Sequence, residues 1–250
     1  MRTALITGAT SGFGRAIAKT LAKAGYRLIL NGRRKERLES LKSELTSTTE
    51  VFTSSFDMRY KAAVDSAVAG LPEEWRKIDI LINNAGLALG KSYLEGGDTE
   101  DWDQMMDTNV KGLLYVTKAV TPLLKKSGQA HIINIGSIAG TEVYPGGNVY
   151  CASKHAVNAL SKALRMELLE YGIRVSQVRP GLAETEFSVV RYKGDEEKAK
   201  KVYHGFEALV SEDIARVALF ILESPQHVCI NDLEITPTAQ ANAYLLEKNN

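Results

Sequence analysis

The chain of 250 residues lacks the features that mark several classes of protein. No apolar run approaches roughly 18 residues, the length that a membrane-spanning helix needs. An apolar strand-like run begins at Thr3, which leaves no room for a signal peptide before it. The only cysteines are Cys151 and Cys229, far apart in the chain. We therefore expect a reduced, cytoplasmic protein without disulfides or a membrane anchor.

The charges and the histidines exclude two further classes. Basic and acidic residues balance, 31 against 30, and no long basic block is present. The sequence thus lacks the cationic surface that proteins use to bind nucleic acids. The four histidines do not cluster with one another or with cysteines, so no metal site is predicted. A hydrophobic content of 44% fits a globular protein with a full-sized core.

Strand-like and helix-like runs alternate along the chain. Apolar runs such as "TALIT", "DILIN" and "HIINIGS" are separated by helical patterns. This alternation predicts an α/β fold, a parallel sheet with helices on both faces. No Pro/Ser-rich linker or internal repeat interrupts it, so residues 1–250 are predicted to form one domain. The longest irregular stretch, about 180–210, follows the sixth strand. Because ligands bind beyond the carboxyl ends of such strands, we expect a substrate loop or lid there.

A glycine-rich turn, "TGATSGFG", joins the first strand to the first helix and contains Gly8, Gly12 and Gly14. Glycine lets the backbone approach a pyrophosphate, and the helix N-terminus offers N–H groups and partial positive charge. The turn therefore predicts a bound dinucleotide. After the second strand, "NGRRKE" places Arg33 and Arg34 where an acid would bind the ribose 2′-hydroxyl of NAD. A guanidinium suits the 2′-phosphate of NADP, which is the predicted cofactor.

The stretch "GNVYCASKHAV" predicts a helix that carries Tyr150 and Lys154 one turn apart on the same face. Such a pair is also common on exposed helices, so it does not identify a site by itself. Only Cys151, Ala152 and Ser153 stand between the two side chains. We expect these small residues to leave room for a cofactor against the helix.

Taken together, the motifs resemble one family. "TGATSGFG", "NNAG", "INIGS", "YCASK" and "RPG" occur in the order and at the spacings of the short-chain dehydrogenase/reductases, over the whole chain. The resemblance implies a Rossmann-type, doubly wound parallel sheet of about seven strands. It also implies that Tyr150 is the catalytic acid/base and Lys154 its activating partner. Ser137 would hold the substrate oxygen, and Asn109 would orient a water in a proton relay to the lysine.

The same resemblance implies a cofactor site made mostly of loops that follow strands. Its predicted members are Gly8, Thr10, Ser11, Gly12, Phe13, Gly14, Arg33, Arg34, Asp57, Met58, Asn84, Ala85, Gly86, Tyr150, Lys154, Pro180, Gly181, Ala183 and Thr185. Asp57 and Met58 are expected beside the adenine. Tyrosine has an ordinary pKa of about 10, too high for a base near neutrality. The Lys154 ammonium and the positive nicotinamide ring would both favour the phenolate.

The C-terminal region narrows the predicted reaction. The last 22 residues, "CINDLEITPTAQANAYLLEKNN", contain no glycine, whereas 3-ketoacyl carrier-protein reductases usually end in a glycine-rich strand and tail. With "PGLAETEFSVVRYKGDEEKAKKVY", this region resembles the NADP-dependent serine / 3-hydroxy acid dehydrogenase subgroup. The predicted reaction interconverts a small 3-hydroxy acid and its carbonyl form. A 3-ketoacyl or other carbonyl reductase remains an alternative, and a non-catalytic NADP sensor a remote one.

A substrate with a carboxylate needs a cation near the predicted lid. The candidates in "SVVRYKGD" are Arg191 and Lys193. We favour Arg191 for substrate binding, together with Ser137 and Tyr150, because a guanidinium can hold a carboxylate through two parallel hydrogen bonds. The family resemblance further implies a homotetramer, with the helices near 113–125 and 148–171 at its interfaces.

Overall fold

Seven parallel strands form one sheet in the computed structural model, which describes residues 1–249. The strands are β1 (Thr3–Ile6), β2 (Arg27–Gly32), β3 (Val51–Ser55), β4 (Ile80–Asn83), β5 (His131–Ile135), β6 (Arg174–Pro180) and β7 (Asp232–Ile235). Their order across the sheet is β3-β2-β1-β4-β5-β6-β7, and each neighbouring pair is parallel. The predicted Rossmann-type, doubly wound sheet is confirmed.

Helices connect the strands and cover both faces of the sheet. They are α1 (Gly12–Lys23), α2 (Lys35–Leu45), α3 (Lys61–Ala69), α4 (Thr99–Met106), α5 (Leu113–Leu124), α6 (Asn148–Glu167), α7 (Glu186–Arg191), α8 (Glu196–Val202) and α9 (Ser211–Glu223). Side chains alternate between the two faces of a strand. Ala4 and Ile6 of β1 therefore join a core under α1, α2 and α9, whereas Leu5 joins the opposite core under α3 and α5. Burying each such Leu or Ile contributes about 1.5–3 kcal/mol.

The strand order reverses at β1. β2 and β3 extend from one side of β1, and β4 to β7 extend from the other. The loops that leave β1 and β4 therefore diverge and open a crevice at the carboxyl edge of the sheet. In open α/β sheets this crevice is where ligands bind.

Two helical predictions needed correction. The sequence pattern also predicts a helix over roughly Glu100 to Val110; the α-helix there ends at Met106 and continues as a π-helical turn, Asp107–Gly112, into α5. The predicted helix 148–171 ends at Glu167, and a 3₁₀ turn, Leu169–Tyr171, follows. Propensity does not separate α from π or 3₁₀ turns, since all three use similar backbone angles.

The stretch expected to be irregular, about 180–210, contains α7 and α8. Each helix begins at a side-chain cap: Thr185 accepts a hydrogen bond from Phe187 N (3.1 Å) and Asp195 accepts one from Lys198 N (3.0 Å). Threonine and aspartate are common N-cap residues, so the sequence carried the signal. The helices were missed because six and seven residues are too few to show helical periodicity.

Candidate active site

One cavity of about 740 Å³ lies at the carboxyl ends of β1, β4, β5 and β6. It brings together most of the residues predicted from the sequence. Those on its wall are Gly8, Thr10, Ser11, Gly12, Phe13, Arg33, Arg34, Asp57, Met58, Asn84, Ala85, Gly86, Ser137, Tyr150, Lys154, Pro180, Gly181, Ala183, Thr185 and Arg191. Gly14 and Asn109, both among the described residues, lie behind the wall and support it.

The glycine-rich turn has the shape that a dinucleotide pyrophosphate needs. Gly8 and Gly12 have φ values of +65° and +49°, a region that favours glycine. A Cβ on Gly14 would collide with the carbonyl of Gly8 and the amide of Asn84, so the turn closes tightly only with glycine there. The Asn84 amide donates to the carbonyls of Thr7 (2.8 Å) and Gly8 (3.2 Å). The turn leads into the first turn of α1 at the cavity wall, where backbone N–H groups attract an anion.

Arginines line the end of the cavity beyond β2. Arg34 Nη2 donates to the hydroxyls of Thr10 and Ser11, at 3.3 Å each, which ties it to the glycine-rich turn. Arg33 Nη1 lies 4.0 Å from Asp57 Oδ2. Burial acts to raise the pKa of Asp57, but hydrogen bonds from Arg59 outweigh it and hold that pKa below its ordinary value. The arginines and the turn fit a phosphorylated dinucleotide on geometry and charge.

The Ser–Tyr–Lys set meets where β5 and α6 converge. Lys154 Nζ donates to the carbonyl of Ile135 at the end of β5 (2.9 Å). Ser137 Oγ accepts from Ala139 N (3.1 Å) and donates to the carbonyl of Pro180 (3.4 Å). Tyr150, which also lines the cavity, is 9% exposed and Lys154 6% exposed, so both groups are held away from bulk water.

Burial sets the pKa values of the Tyr–Lys pair. It raises the pKa of Tyr150, and the neighbouring Tyr144 phenol raises it further, while Ser137 and Arg191 act in the opposite direction with less effect. Burial also lowers the pKa of Lys154 to about 8. The protein's own groups therefore keep Tyr150 as a protonated phenol, ready to donate. The predicted lowering of its pKa therefore needs the charge of a bound nicotinamide in addition to the Lys154 ammonium.

Asn109 lies in the π-helical turn between α4 and α5. Its Oδ1 accepts from Leu87 N (2.8 Å), and its Nδ2 donates to the Leu87 carbonyl (2.8 Å) and to Ser153 Oγ (3.0 Å). Both amide hydrogens are thus used within the protein. In a π turn the backbone hydrogen bonds join residues five apart instead of four. Such turns often occur at functional sites.

The small residues beside Tyr150 do not make room for a cofactor. Cys151 packs with Leu87 and Met105 in a small apolar cluster, and Ser153 binds Asn109. Ala152 is exposed. The prediction that these small residues leave room for a cofactor against the helix gains no support, because none of them lines the cavity and their side chains face α4, its π turn or solvent. Their small size allows these helices to pack closely.

Arg191, at the end of α7, faces Tyr150 across the cavity. Its Nη1 donates to the Tyr144 hydroxyl (3.0 Å), and its Nε donates to the Gly90 carbonyl (3.1 Å). The guanidinium carbon lies 5.5 Å from the Tyr144 ring centre and 5.8 Å from that of Tyr150. Its Nη2 is buried and has no hydrogen-bond partner within the described residues. Because a buried unpaired donor is unfavourable, this nitrogen favours binding of an anion.

Several cavity residues were not predicted as site residues. Phe187 packs edge-on against Tyr150, with ring centres 5.7 Å apart. Tyr203 donates to the carbonyl of Ala183 (2.8 Å), and Gln240 Oε1 accepts from Leu182 N (2.8 Å). These contacts hold the chain that follows β6 over the cavity. No motif in the sequence pointed to them, since they depend on how α7, α8 and the C-terminal chain fold back.

The described residues contain neither a metal-binding cluster nor a helix that could span a membrane. Within residues 1–249, no group of three or more His, Cys, Asp or Glu side chains is arranged to hold a metal ion. None of the helices in this range combines the length and the hydropathy needed to cross a bilayer.

Known proteins are similar to this chain over nearly its whole length. The family model for short chain dehydrogenases matches residues 2–196. The NADP-dependent 3-hydroxy acid dehydrogenase YdfG of Salmonella typhi is 48% identical over 242 residues, 96% of this chain and 97% of that protein. A sulfoacetaldehyde reductase of Chromohalobacter salexigens is 50% identical over 237 residues, 94% of each chain. The closed form of a serine dehydrogenase with NADP+ superposes with a TM-score of 0.93 at 45% identity, covering 99% of this chain and all of that one.

Proposed function

This chain belongs to the short chain dehydrogenase family, and we propose that it is an NADP-dependent dehydrogenase of small 3-hydroxy acids of the serine or 3-hydroxypropionate type. The reaction interconverts the hydroxyl and carbonyl forms of the substrate. The observation that carries the substrate class is the buried, unpaired Nη2 of Arg191 beside Tyr150. The 3-hydroxy acid dehydrogenase and serine dehydrogenase among the relatives, both covering nearly the whole chain, support it.

The cofactor would lie in the crevice between the loops after β1 and β4. Backbone N–H groups of the glycine-rich turn would hold its pyrophosphate, and Arg33 and Arg34 its 2′-phosphate. Asp57 and Met58 would border the adenine. When bound, NADP accepts a hydride from the substrate carbon, and NADPH donates one to it. The chain from Pro180 to Thr185 would close the nicotinamide end.

Tyr150 would exchange the proton at the substrate oxygen. In the reducing direction, its phenol donates the proton that the carbonyl oxygen needs, and burial keeps that proton in place. Ser137 would hold the same oxygen from the other side. Lys154, fixed by the Ile135 carbonyl, would lower the cost of forming the phenolate through its positive charge. A water relay from Asn109 to Lys154 stays a prediction, since both amide hydrogens of Asn109 are used within the protein.

The segment 181–210 would act as the lid of the site, with Arg191 as its substrate contact. A small hydroxy acid has little apolar surface, so its carboxylate must provide much of the binding. Nη2 is free to donate to that carboxylate, while Nη1 and Nε hold the guanidinium in place. The substrate would then lie between Arg191 and the Ser137–Tyr150 pair.

Replacing Arg191 by leucine tests the substrate class. We expect KM for L-serine, 3-hydroxyisobutyrate and malonic semialdehyde to rise at least about tenfold, which corresponds to about 1.4 kcal/mol. KM for uncharged alcohols and aldehydes should hardly change. Lys91→Met is the matched control, since Lys91 is another cation on the cavity wall. Equal losses for charged and uncharged substrates would show that Arg191 only shapes the lid.

A small aldehyde that carries a sulfonate is a second candidate substrate. The observation that favours it is the 50% identity to a sulfoacetaldehyde reductase. A guanidinium can bind either anion, so Arg191 does not distinguish them. Steady-state assays with sulfoacetaldehyde and malonic semialdehyde side by side would rank the two candidates by kcat/KM. The homotetramer and the cytoplasmic location expected from the sequence stay predictions.

A further inference from the structure

Lys193, the second cation in the lid, has an unusual backbone and a specific set of partners. Its φ is +53°, and it is the only non-glycine residue with a positive φ in the part of the chain that is described. A residue with a Cβ is rarely found in this left-handed region and needs its surroundings to hold it there. The turn that Lys193 makes directly follows α7, which ends at Arg191.

The side chain of Lys193 reaches across to α4. Its Nζ lies 2.9 Å from Asp101 Oδ2 and 3.3 Å from Asp98 Oδ2. Asp98 also caps α4 by accepting from Glu100 N at 3.0 Å. The Asp101 side chain is only 14% exposed, so one of the two ion pairs is shielded from water. These contacts join the end of the lid helix to a helix of the main fold.

Gly90, in the loop next to Asp101, holds Arg191 through two hydrogen bonds. Gly90 N donates to the Arg191 carbonyl (2.9 Å), and Arg191 Nε donates to the Gly90 carbonyl (3.1 Å). Asp101 lies directly beside Gly90, because a Cβ on that glycine would be 3.5 Å from Asp101 Oδ2. The ion pairs of Lys193 and the hydrogen bonds of Arg191 therefore fix one turn of chain, 191–193, against one loop.

We propose that Lys193 is a positioning residue, whose ion pairs with Asp98 and Asp101 hold the left-handed turn that places Arg191 between Tyr144 and Tyr150. The proposal rests on the proposed role of Arg191 in binding the substrate anion. Lys193 itself lines a separate cavity of about 220 Å³ behind Arg191. Its ammonium already faces two carboxylates, so it is not available as the first contact for a substrate anion.

The test is Lys193→Met in the full-length enzyme with saturating NADPH. We expect KM for malonic semialdehyde to rise roughly fivefold, the factor that corresponds to about 1 kcal/mol. KM for an uncharged aldehyde and Kd for NADPH should stay unchanged. Asp101→Asn should reproduce the effect, and Lys193→Arg should largely restore the wild-type KM.

Two further variants separate positioning from folding and from direct binding. Lys193→Gly relieves the backbone strain but removes the ion pairs, so it should melt no lower than wild type and still show the raised KM. In an Arg191→Leu background, Lys193→Met should add nothing, because its effect passes through Arg191. An additive effect there, or an equal rise in KM for the uncharged aldehyde, would overturn the proposal.

The Arg191→Leu variant also separates the positioning role of Lys193 from the proposed function. If that variant alone distinguishes charged from uncharged substrates and Lys193→Met does not, the positioning role fails and the proposed function stands. If Arg191→Leu affects both substrate classes alike, the substrate contact assigned to Arg191 fails, and the positioning role fails with it.

Discussion

The cofactor side and the substrate side of the cavity are built in different ways. On the cofactor side, loops leave buried strands and are held by the sheet itself. Asn84 binds the carbonyls of Thr7 and Gly8, and Lys154 binds the carbonyl of Ile135, all at strand ends. On the substrate side, two helices of six and seven residues cover the cavity. They are joined to the rest of the fold largely by side chains.

Some of the ion pairs that hold the lid are largely exposed to water. Glu186, at the start of α7, binds Arg37, and its side chain is 51% exposed; Lys193, just after α7, is 56% exposed. Exposed ion pairs contribute about 0–1 kcal/mol each, far less than a buried network. With the roles proposed above, the difference teaches that the chemistry would be attached to the stable part of the fold, whereas substrate recognition would depend on a part held by weaker contacts.

The largest expected effect is a loss of turnover on the cofactor side of the cavity. Tyr150→Phe should lower turnover by about 10²–10⁴-fold, because the phenol proton is lost while the ring remains. NADPH should still bind, measured by fluorescence titration, since the glycine-rich turn is untouched. A variant that keeps half of the wild-type rate would contradict the catalytic role of Tyr150.

The cofactor side of the cavity could be predicted from the sequence better than the substrate side. Gly8 and Gly14 were predictable because a tight strand-to-helix turn at the crevice leaves few alternatives to glycine, whereas Asn84 was predicted only from the family resemblance. Tyr144, Tyr203 and Gln240 were not predictable, because they meet the cavity only after distant segments fold back. The π turn that holds Asn109 could not be distinguished from an α-helix by periodicity. Arg191 was predicted from its chemistry, while the actual partners of Lys193 depend on tertiary structure.

The buried Lys154 gives a second, pH-dependent prediction. Its pKa is about 8 in the folded protein against an ordinary 10.5, because burial disfavours its charge. Between these values the unfolded chain binds more protons than the folded one, so the lysine's contribution to stability rises with pH. Below about pH 8 both states are protonated and the unfavourable contribution is constant.

Denaturant unfolding of the cofactor-free protein and of Lys154→Met measures this effect. The free energy of unfolding of wild type minus that of the variant should increase from about pH 8 toward pH 10.5, with a slope of up to about 1.4 kcal/mol per pH unit. Lys193→Met is the contrasting control from the lid, because its exposed ammonium should produce no such rise. A difference that stays flat through this window would mean that Lys154 is hydrated in the folded state.

A smaller effect is expected at the phosphate arginines. Changing Arg33 and Arg34 together to alanine should raise Kd for NADPH by about tenfold to a hundredfold, because both arginines are half-exposed and their joint contribution should be about 1.5–3 kcal/mol, that of one charge-assisted hydrogen bond. Kd for NADH should change little, because it has no 2′-phosphate. Arg37→Ala is the matched control: it removes a nearby guanidinium that binds Glu186. Equal losses for NADPH and NADH would show that Arg33 and Arg34 do not bind the phosphate.

The smallest effect is expected where the two sides meet, at Glu186. This carboxylate accepts two hydrogen bonds from Arg37, at 2.9 and 3.0 Å, and lies 3.6 Å from Arg34. It therefore ties the first turn of the lid helix to an arginine that we assign to the 2′-phosphate. It also places a negative charge near the position of that phosphate, where like charges repel.

Glu186→Gln should consequently act in opposite directions on the two sides of the cavity. Kd for NADPH should fall about twofold, because Arg34 loses a competing anion, while KM for the hydroxy acid should rise about twofold as α7 is released. Kd for NADH should stay the same. Glu184→Gln is the matched control, since Glu184 is also exposed and two residues away. Weaker NADPH binding in Glu186→Gln would instead mean that the carboxylate holds Arg34 in place for the phosphate, so that the cofactor side depends on the lid.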